Sequence, residues 1–473
     1  MNSCDIEPLL QAACDLAVRY RTGEPDRAPR AAATGQDAYA LFAGPVPEAG
    51  EDALATLTAL AEAAGPGLHD TTGDRFFGWV IGASHPVGVA ADWLTSAWGQ
   101  NPGLHFVGPA GVAAEKVAGD WLLDLLDLPR EASVGFVTGA TMANFTGLAA
   151  GRSEVLRRAG WDVEADGLQG APRMRVLLGE AAHSTVFAAL RYLGFGRSQI
   201  ETVAADAQGA MDARDLGRRL ADGGPALVIA QAGQINTGAF DPFEEIAAHC
   251  RRAGAWLHVD GAFGLWARAC PDRYRLTRGL ELADSWASDA HKWLQAPYES
   301  GFVIVRDRTA HRRAMSISAS YLPSQDWCHN PSDFSPELSR RARGFAIWAL
   351  LRHLGRDGIA DMVSRHCALA RRIGARLGKA PGIAVLNEVV LNQVVLAFGE
   401  GAGADRLTRA VIEEVQRRNA VFVEGARWQG REVLRISVIS APLDSRSADR
   451  LCDEILAAWQ TVQARQSAAI PAQ

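Results

Sequence analysis

Apolar positions from Ile6 to Tyr20 recur at helical spacing and predict a short amphipathic helix, and the following stretch, Arg21 to Gly50, broken by Pro25, Pro29, Pro45 and Pro47, predicts an irregular arm. From about Glu115 onward, long segments of helical periodicity alternate with short β-rich runs: Val134 to Val137, Met174 to Leu178, Ala226 to Ile229, Ala255 to Val259 and Phe302 to Val305. That alternation predicts an α/β fold, a mostly parallel sheet covered by helices. In such a sheet a ligand lies beyond the carboxyl ends of the strands, so the residues just after each run carry the functional information. After about Gly355 the pattern becomes a helix from Ile359 to Leu377, strands near Val389 to Phe398 and Val433 to Val438, and a closing helix from Ser447 to Gln460, which makes a smaller α+β unit. The expected division is an N-terminal helical arm over 1–95, a large domain over 96–355 and a small C-terminal domain over 356–473. No internal repeat is present, and the Ala/Gln-rich tail after Ala464 is expected to fray.

With 473 residues, 48% of them hydrophobic, the chain is long enough to bury a large core. Its net charge of −6 is spread without a basic stripe, which argues against nucleic acid as a partner. The cysteines Cys4, Cys14, Cys250, Cys270, Cys328, Cys367 and Cys452 are far apart and form no C-x-x-C, which fits reduced thiols and not a disulfide frame or a metal site. Asp5 and Glu7 precede any apolar stretch, so no signal peptide is expected, and no apolar run approaches the roughly 18 residues that span a bilayer. A cytoplasmic protein that contacts no membrane is the expectation.

Four clusters carry candidate chemistry. Leu257-His258-Val259-Asp260-Gly261-Ala262 closes a buried strand with a carboxylate, which is costly there unless a cation such as a protonated ring nitrogen meets it; alone, Asp260 would read as a loop or cap residue. Ser288-Asp289-Ala290-His291-Lys292-Trp293 sets a lysine among apolar neighbours, where burial favours the neutral amine that attacks aldehydes. Phe136-Val137-Thr138-Gly139-Ala140-Thr141-Met142-Ala143-Asn144 runs from a strand through small residues into a helix, an arrangement whose backbone N–H groups suit a phosphate but which also occurs without one. Ala182-His183-Ser184-Thr185 opens a helix after a strand, where an imidazole either caps the helix or lies flat on an aromatic ring.

The order of these clusters, together with Phe76-Phe77-Gly78, Ala91-Asp92-Trp93-Leu94 and Ser339-Arg340-Arg341-Ala342-Arg343, resembles the group II pyridoxal-phosphate decarboxylases, the family of aromatic-amino-acid, histidine and glutamate decarboxylases. The resemblance spans most of the chain. It implies fold type I, with a seven-stranded, mostly parallel sheet in a large cofactor-binding domain, and a homodimer whose active sites lie at the subunit interface. It further implies that Lys292 forms the Schiff base with pyridoxal 5′-phosphate, that Asp260 partners the pyridine nitrogen and that His183 stacks on the ring opposite Ala262. Gly139, Ala140 and Thr141, helped by His291, would form the phosphate turn. Tyr321, in Ser320-Tyr321-Leu322-Pro323, would return a proton to the substrate carbon. Trp79, Val80, Gly82 and Ser339 fall where the side-chain pocket is expected.

The sequence departs from the family at Met142, where many relatives have Glu, at Gly261, where many have Ala, and in Gln234-Ile235-Asn236-Thr237. No catalytic group is lost, but the substrate is left open. The expected reaction converts an L-amino acid, preferably aromatic or bulky, into its primary amine and carbon dioxide. Rivals on the same scaffold are an oxidative deaminating aldehyde synthase, against which Tyr321 argues, an aminotransferase, and a catalytically silent dimeric scaffold.

Overall fold

The computed structural model describes residues 6–23, 27–317 and 330–469. Its centre is a seven-stranded sheet built from β1 (Ser133–Val137), β2 (Arg175–Gly179), β3 (Ile200–Val203), β4 (Ala226–Gln231), β5 (Trp256–Asp260), β6 (Ser285–Asp289) and β7 (Gly301–Val305), in the order β1-β7-β6-β5-β4-β2-β3. Five of these strands, β2 to β6, run parallel to their mutual neighbours, whereas β7 lies antiparallel to both β1 and β6. All five residues of β1, β5, β6 and β7 are buried, as expected of strands covered on both faces. The expected α/β class and mostly parallel sheet are therefore present. Two strands of this sheet escaped the sequence reading: β3, which holds Glu201 and Thr202, and β6, whose Ser-Trp-Ala-Ser-Asp has little β character outside its buried setting.

One face of the sheet is crossed by the helix Ala140–Arg158, which packs on β1, β4, β5, β6 and β7. A buried polar chain fixes that helix. The Trp256 indole donates to Ser285 Oγ at 2.8 Å, leaving the hydroxyl to donate to His258 Nδ1 at 2.8 Å, while His258 Nε2 meets Asn144 Oδ1 at 2.8 Å. Each imidazole nitrogen is thus committed in one tautomer, and burial pushes the His258 imidazole down to about 3.

A second, antiparallel sheet has the order β10-β11-β9-β8, from β8 (Ile383–Val385), β9 (Gln393–Phe398), β10 (Glu424–Trp428) and β11 (Arg431–Ser437). The helices Ala404–Arg418 and Ser445–Ala469 belong to the same unit. The long helix Gly344–Leu377 leads into it, beginning well before the expected Ile359 and bending at Gly355, where φ is +62°.

The N-terminal arm is less irregular than its prolines imply. Thr34 and Asp37 cap each other reciprocally and start a helix over Gly35–Phe42, a capping box that the proline count concealed. Further on, Phe77 joins the core of the C-terminal unit: its N–H donates to Phe422 O at 2.9 Å and its C=O accepts from Ser437 N at 3.0 Å. The five described cysteines, Cys14, Cys250, Cys270, Cys367 and Cys452, are free thiols. Among the described residues no helix is long and apolar enough to cross a membrane, and no group of side chains forms a metal site.

Candidate active site

The strand ends open onto a cleft of about 340 Å³ whose walls include Thr138, Gly139, Ala140 and Thr141 after β1, His183 and Thr185 after β2, Gln231 at the end of β4, Asp260 and Ala262 after β5, and Asp289, His291 and Lys292 after β6. Every residue that the sequence suggested for cofactor contact lies on this one cavity. The parallel strands produce the convergence, because each delivers the residue at its carboxyl end to the same side of the sheet.

Lys292 follows β6 on a turn anchored by its buried neighbour Trp293, whose indole donates to His366 Nδ1 at 3.0 Å. The Gln295 side chain braces the same turn, bonding Lys292 O at 2.9 Å and Ile439 O at 2.7 Å. The ammonium of Lys292 lies 2.8 Å from Asp289 Oδ2. Asp260 is 4% exposed, and among the described residues its carboxylate accepts one hydrogen bond, from Ala262 N at 3.2 Å. Burial pushes this carboxyl up, and the charges of His183 and Lys292 pull it back. A buried carboxylate with one amide donor is a site short of a cation.

His183 caps the helix Ser184–Tyr192 and receives Thr185 N at 3.3 Å and the Thr185 hydroxyl at 2.7 Å, both at Nδ1, so a neutral imidazole carries its proton on Nε2. Burial, followed by the nearby positive charges of Lys292 and Arg435 against the pull of Asp260, holds its pKa below the usual histidine value. His291 accepts Ser300 N at 3.2 Å on Nδ1, which turns Nε2 toward Asp289 Oδ1 at 3.4 Å, and its ring lies 4.3 Å from that of Tyr298. At the start of the helix Ala140–Arg158 the Ala140 N–H donates to Asp289 Oδ1 at 2.5 Å. A Cβ on Gly139 would stand 3.1 Å from His291 and 3.3 Å from Asp289, so a glycine keeps this end of the cleft open.

The residues suggested for the side-chain pocket lie elsewhere in the single chain. Trp79 is half-exposed in an aromatic group with His69, Phe76 and Phe422, Val80 is buried in the main core, and Ser339 is exposed. Gly82 instead presses on the lysine turn from behind: a Cβ there would come within 2.2 Å of Lys292 O. Tyr321 lies outside the described residues.

Three residues were missed. Gln231 ends β4 and was open to the same strand-end argument, and Asp289 stood inside a quoted motif without a role. Arg435 is 7% exposed on β11 and has no hydrogen bond or ion pair among the described residues, its Nε being buried and unpartnered. Its signal was a charge in the middle of Val433-Leu434-Arg435-Ile436, where an apolar residue would be expected.

Comparison with known proteins agrees with this geometry. The chain is 27% identical over 380 residues to an aromatic-L-amino-acid decarboxylase of Bacillus atrophaeus, covering 77% of each. It is 28% identical over 408 residues to the acidic amino acid decarboxylase GADL1 of Mus musculus, covering 81% of this chain and 73% of that one. The fold matches that of Oryza sativa TDC, solved with PLP and tryptamine, with a TM-score of 0.90 at 23% identity over 98% and 99% of the two chains. It also matches Rhodiola rosea 4-hydroxyphenylacetaldehyde synthase, with a TM-score of 0.87 at 20% identity over 98% and 99%. The model of the pyridoxal-dependent decarboxylase conserved domain covers residues 37–398, most of the chain, and the protein belongs to that family of pyridoxal-phosphate-dependent amino-acid decarboxylases.

Proposed function

We propose that this enzyme removes carbon dioxide from an L-amino acid with an aromatic or otherwise bulky side chain, releasing the primary amine. The observation that carries the reading is the meeting of the Lys292 amine, the Asp260 carboxylate, the His183 imidazole and a helix N-terminus around one cleft. This set fits a phosphorylated pyridine aldehyde: Asp260 lacks the cation that a ring nitrogen would supply, and the Gly139 to Thr141 turn, with His291 beside it, offers donors to a phosphate. Lys292 would hold the aldehyde carbon, His183 and Ala262 the two ring faces.

When bound, pyridoxal phosphate supplies an electron sink that lets the bond from the α-carbon to the carboxylate break. Asp260 would keep the ring nitrogen protonated, which sustains that sink. Arg435, buried, without a side-chain hydrogen bond or ion pair among the described residues and close enough for its charge to act on His183, would orient the substrate carboxylate. Tyr321, outside the described residues, would deliver a proton to the carbon that has lost carbon dioxide. The preference against acidic side chains rests on the cleft itself, where Asp260, Asp289 and Glu299 stand among the lining residues and Lys292 is the one lysine or arginine among the described residues that line it.

A second copy of the chain is the proposed partner. The helices Pro86–Trp98, Pro109–Leu125 and Gly344–Leu377 present Leu94, Trp98, Val117, Phe345 and Trp348 around an apolar hollow of about 440 Å³, an exposed face of the kind that marks an interface. Such a dimer would bring the exposed Ser339 region, and with it the missing pocket wall, to a shared site.

The test is a panel of L-amino acids in which carbon dioxide, amine, hydrogen peroxide and ammonia are measured together. Equal amounts of carbon dioxide and amine from an aromatic substrate are expected; peroxide and ammonia would convert the reading to an aldehyde synthase. Lys292→Ala should lose all turnover and the visible absorbance of the lysine-bound cofactor.

A further inference from the structure

Asp289 has no part in the chemistry above, yet it is the most heavily engaged group in the cleft. It is 2% exposed. Its Oδ1 takes the Ala140 N–H at the start of the helix Ala140–Arg158 at 2.5 Å and lies 3.4 Å from His291 Nε2, and its Oδ2 takes the Lys292 ammonium at 2.8 Å. A helix-terminal amide, an imidazole N–H and an ammonium are the donors that a phosphate monoester would seek at the same place. The helix has no capping side chain of its own, so a carboxylate from another strand fills that position.

We propose that Asp289 is a resident anion that holds the phosphate end of the site and keeps Lys292 paired as an ammonium until the cofactor displaces it, so that this one carboxylate sets both the affinity and the rate of cofactor loading. The inference rests on the reading of the cleft as a pyridoxal-phosphate site. Two anions cannot share the Ala140 N–H at full strength. The arriving phosphate therefore takes over the Ala140 and His291 donors, and the carboxylate gives them up. Lys292, released from its ion pair, is then free to meet the aldehyde.

Asp289→Asn separates charge from shape, because the amide oxygen still accepts the Ala140 N–H while the negative charge is gone. Titration of the wild-type and variant apoenzymes with pyridoxal phosphate and with pyridoxal, followed by absorbance, should show the phosphorylated ligand binding about tenfold or more tightly to the variant, with pyridoxal changed much less. Inorganic phosphate should raise the melting temperature of the variant apoenzyme at lower concentrations than it does the wild type. Unchanged or weaker binding of pyridoxal phosphate to the variant, or an equal gain for pyridoxal, overturns the proposal. Should the Asn variant fail to fold by near-ultraviolet circular dichroism, Asp289→Ser carries the same expectations. A wild-type protein that takes up no pyridoxal phosphate would instead refute the cofactor site itself.

Discussion

Asp260 and Asp289 end adjacent parallel strands, yet their surroundings give them different work. Among the described residues Asp260 has burial, one amide donor and no cation in hydrogen-bond contact, whereas Asp289 takes an amide N–H and the Lys292 amine and lies beside the His291 imidazole. Asp260→Asn should therefore lower kcat by about a hundredfold or more while the protein still captures the phosphate end of the cofactor, measured as turnover against the cofactor dissociation constant. Equal loss of both would show that Asp260 only holds the cofactor. Arg435→Gln should raise KM strongly, because it removes the buried unpaired cation proposed for the substrate carboxylate; an unchanged KM would exclude that contact. At this scale the sequence was legible for His183, Asp260 and Lys292, ionisable residues at or just after the ends of buried strands, while Gln231 in the same kind of position was passed over. It was not legible where the role depends on which of several acids faces the amine, as for Asp289, or on which buried charge lies near His183, as for Arg435. Trp79 and Ser339 show the complementary failure: in one chain they do not reach the cleft, and sequence order alone contains no information about which surfaces meet across subunits.

The helix Ala140–Arg158 matters as an element because its start must stay fixed against the strand ends, and the Trp256, Ser285, His258 and Asn144 chain supplies the fixing. Its histidine, and likewise His366 under Trp293, is held neutral, with both imidazoles pushed by burial from 6.5 down to about 3. The unfolded chain then takes up protons first as pH falls, so stability contributed by the neutral forms is lost from pH 6.5 downward toward 3, about 2 kcal/mol for each imidazole at pH 5. Asp241 acts in the opposite sense, since burial raises it to about 7 and it releases stability as pH rises from 3.8 to that value. His366→Gln keeps an acceptor for the Trp293 indole and removes one titrating group. Its melting temperature should fall less than that of the wild type between pH 7 and pH 5, and an identical fall would show that His366 is not the acid-sensitive group. Gly82→Ala tests the lysine turn from outside the cleft: the added carbon meets backbone carbonyls that cannot swing aside, so a stability loss of about 2 kcal/mol or weakened cofactor binding is expected. Elements with strong periodicity, such as the helix ending at Leu377, were readable in the sequence. β6 was not, because its small and polar residues are buried by the sheet around them and not by their own preference.

For the whole molecule, a second copy docked on the apolar face around Leu94 and Trp98 would cover it. A Leu94→Glu, Trp98→Glu double variant should sediment as a monomer and lose most of its activity, and an active monomer would show that each site is complete in one chain. The strand order has its own implication. β1, which leads into the Gly139 turn, is hydrogen-bonded to β7 alone, and β7 is the last of the seven strands to be synthesised. A nascent polypeptide that ends before Gly301 already contains the lysine, both aspartates and the histidines, but the first strand lacks its partner strand. Translation must therefore run past β7 before the phosphate cradle exists, and ribosome-bound fragments that stop short of it should fail to capture the vitamin.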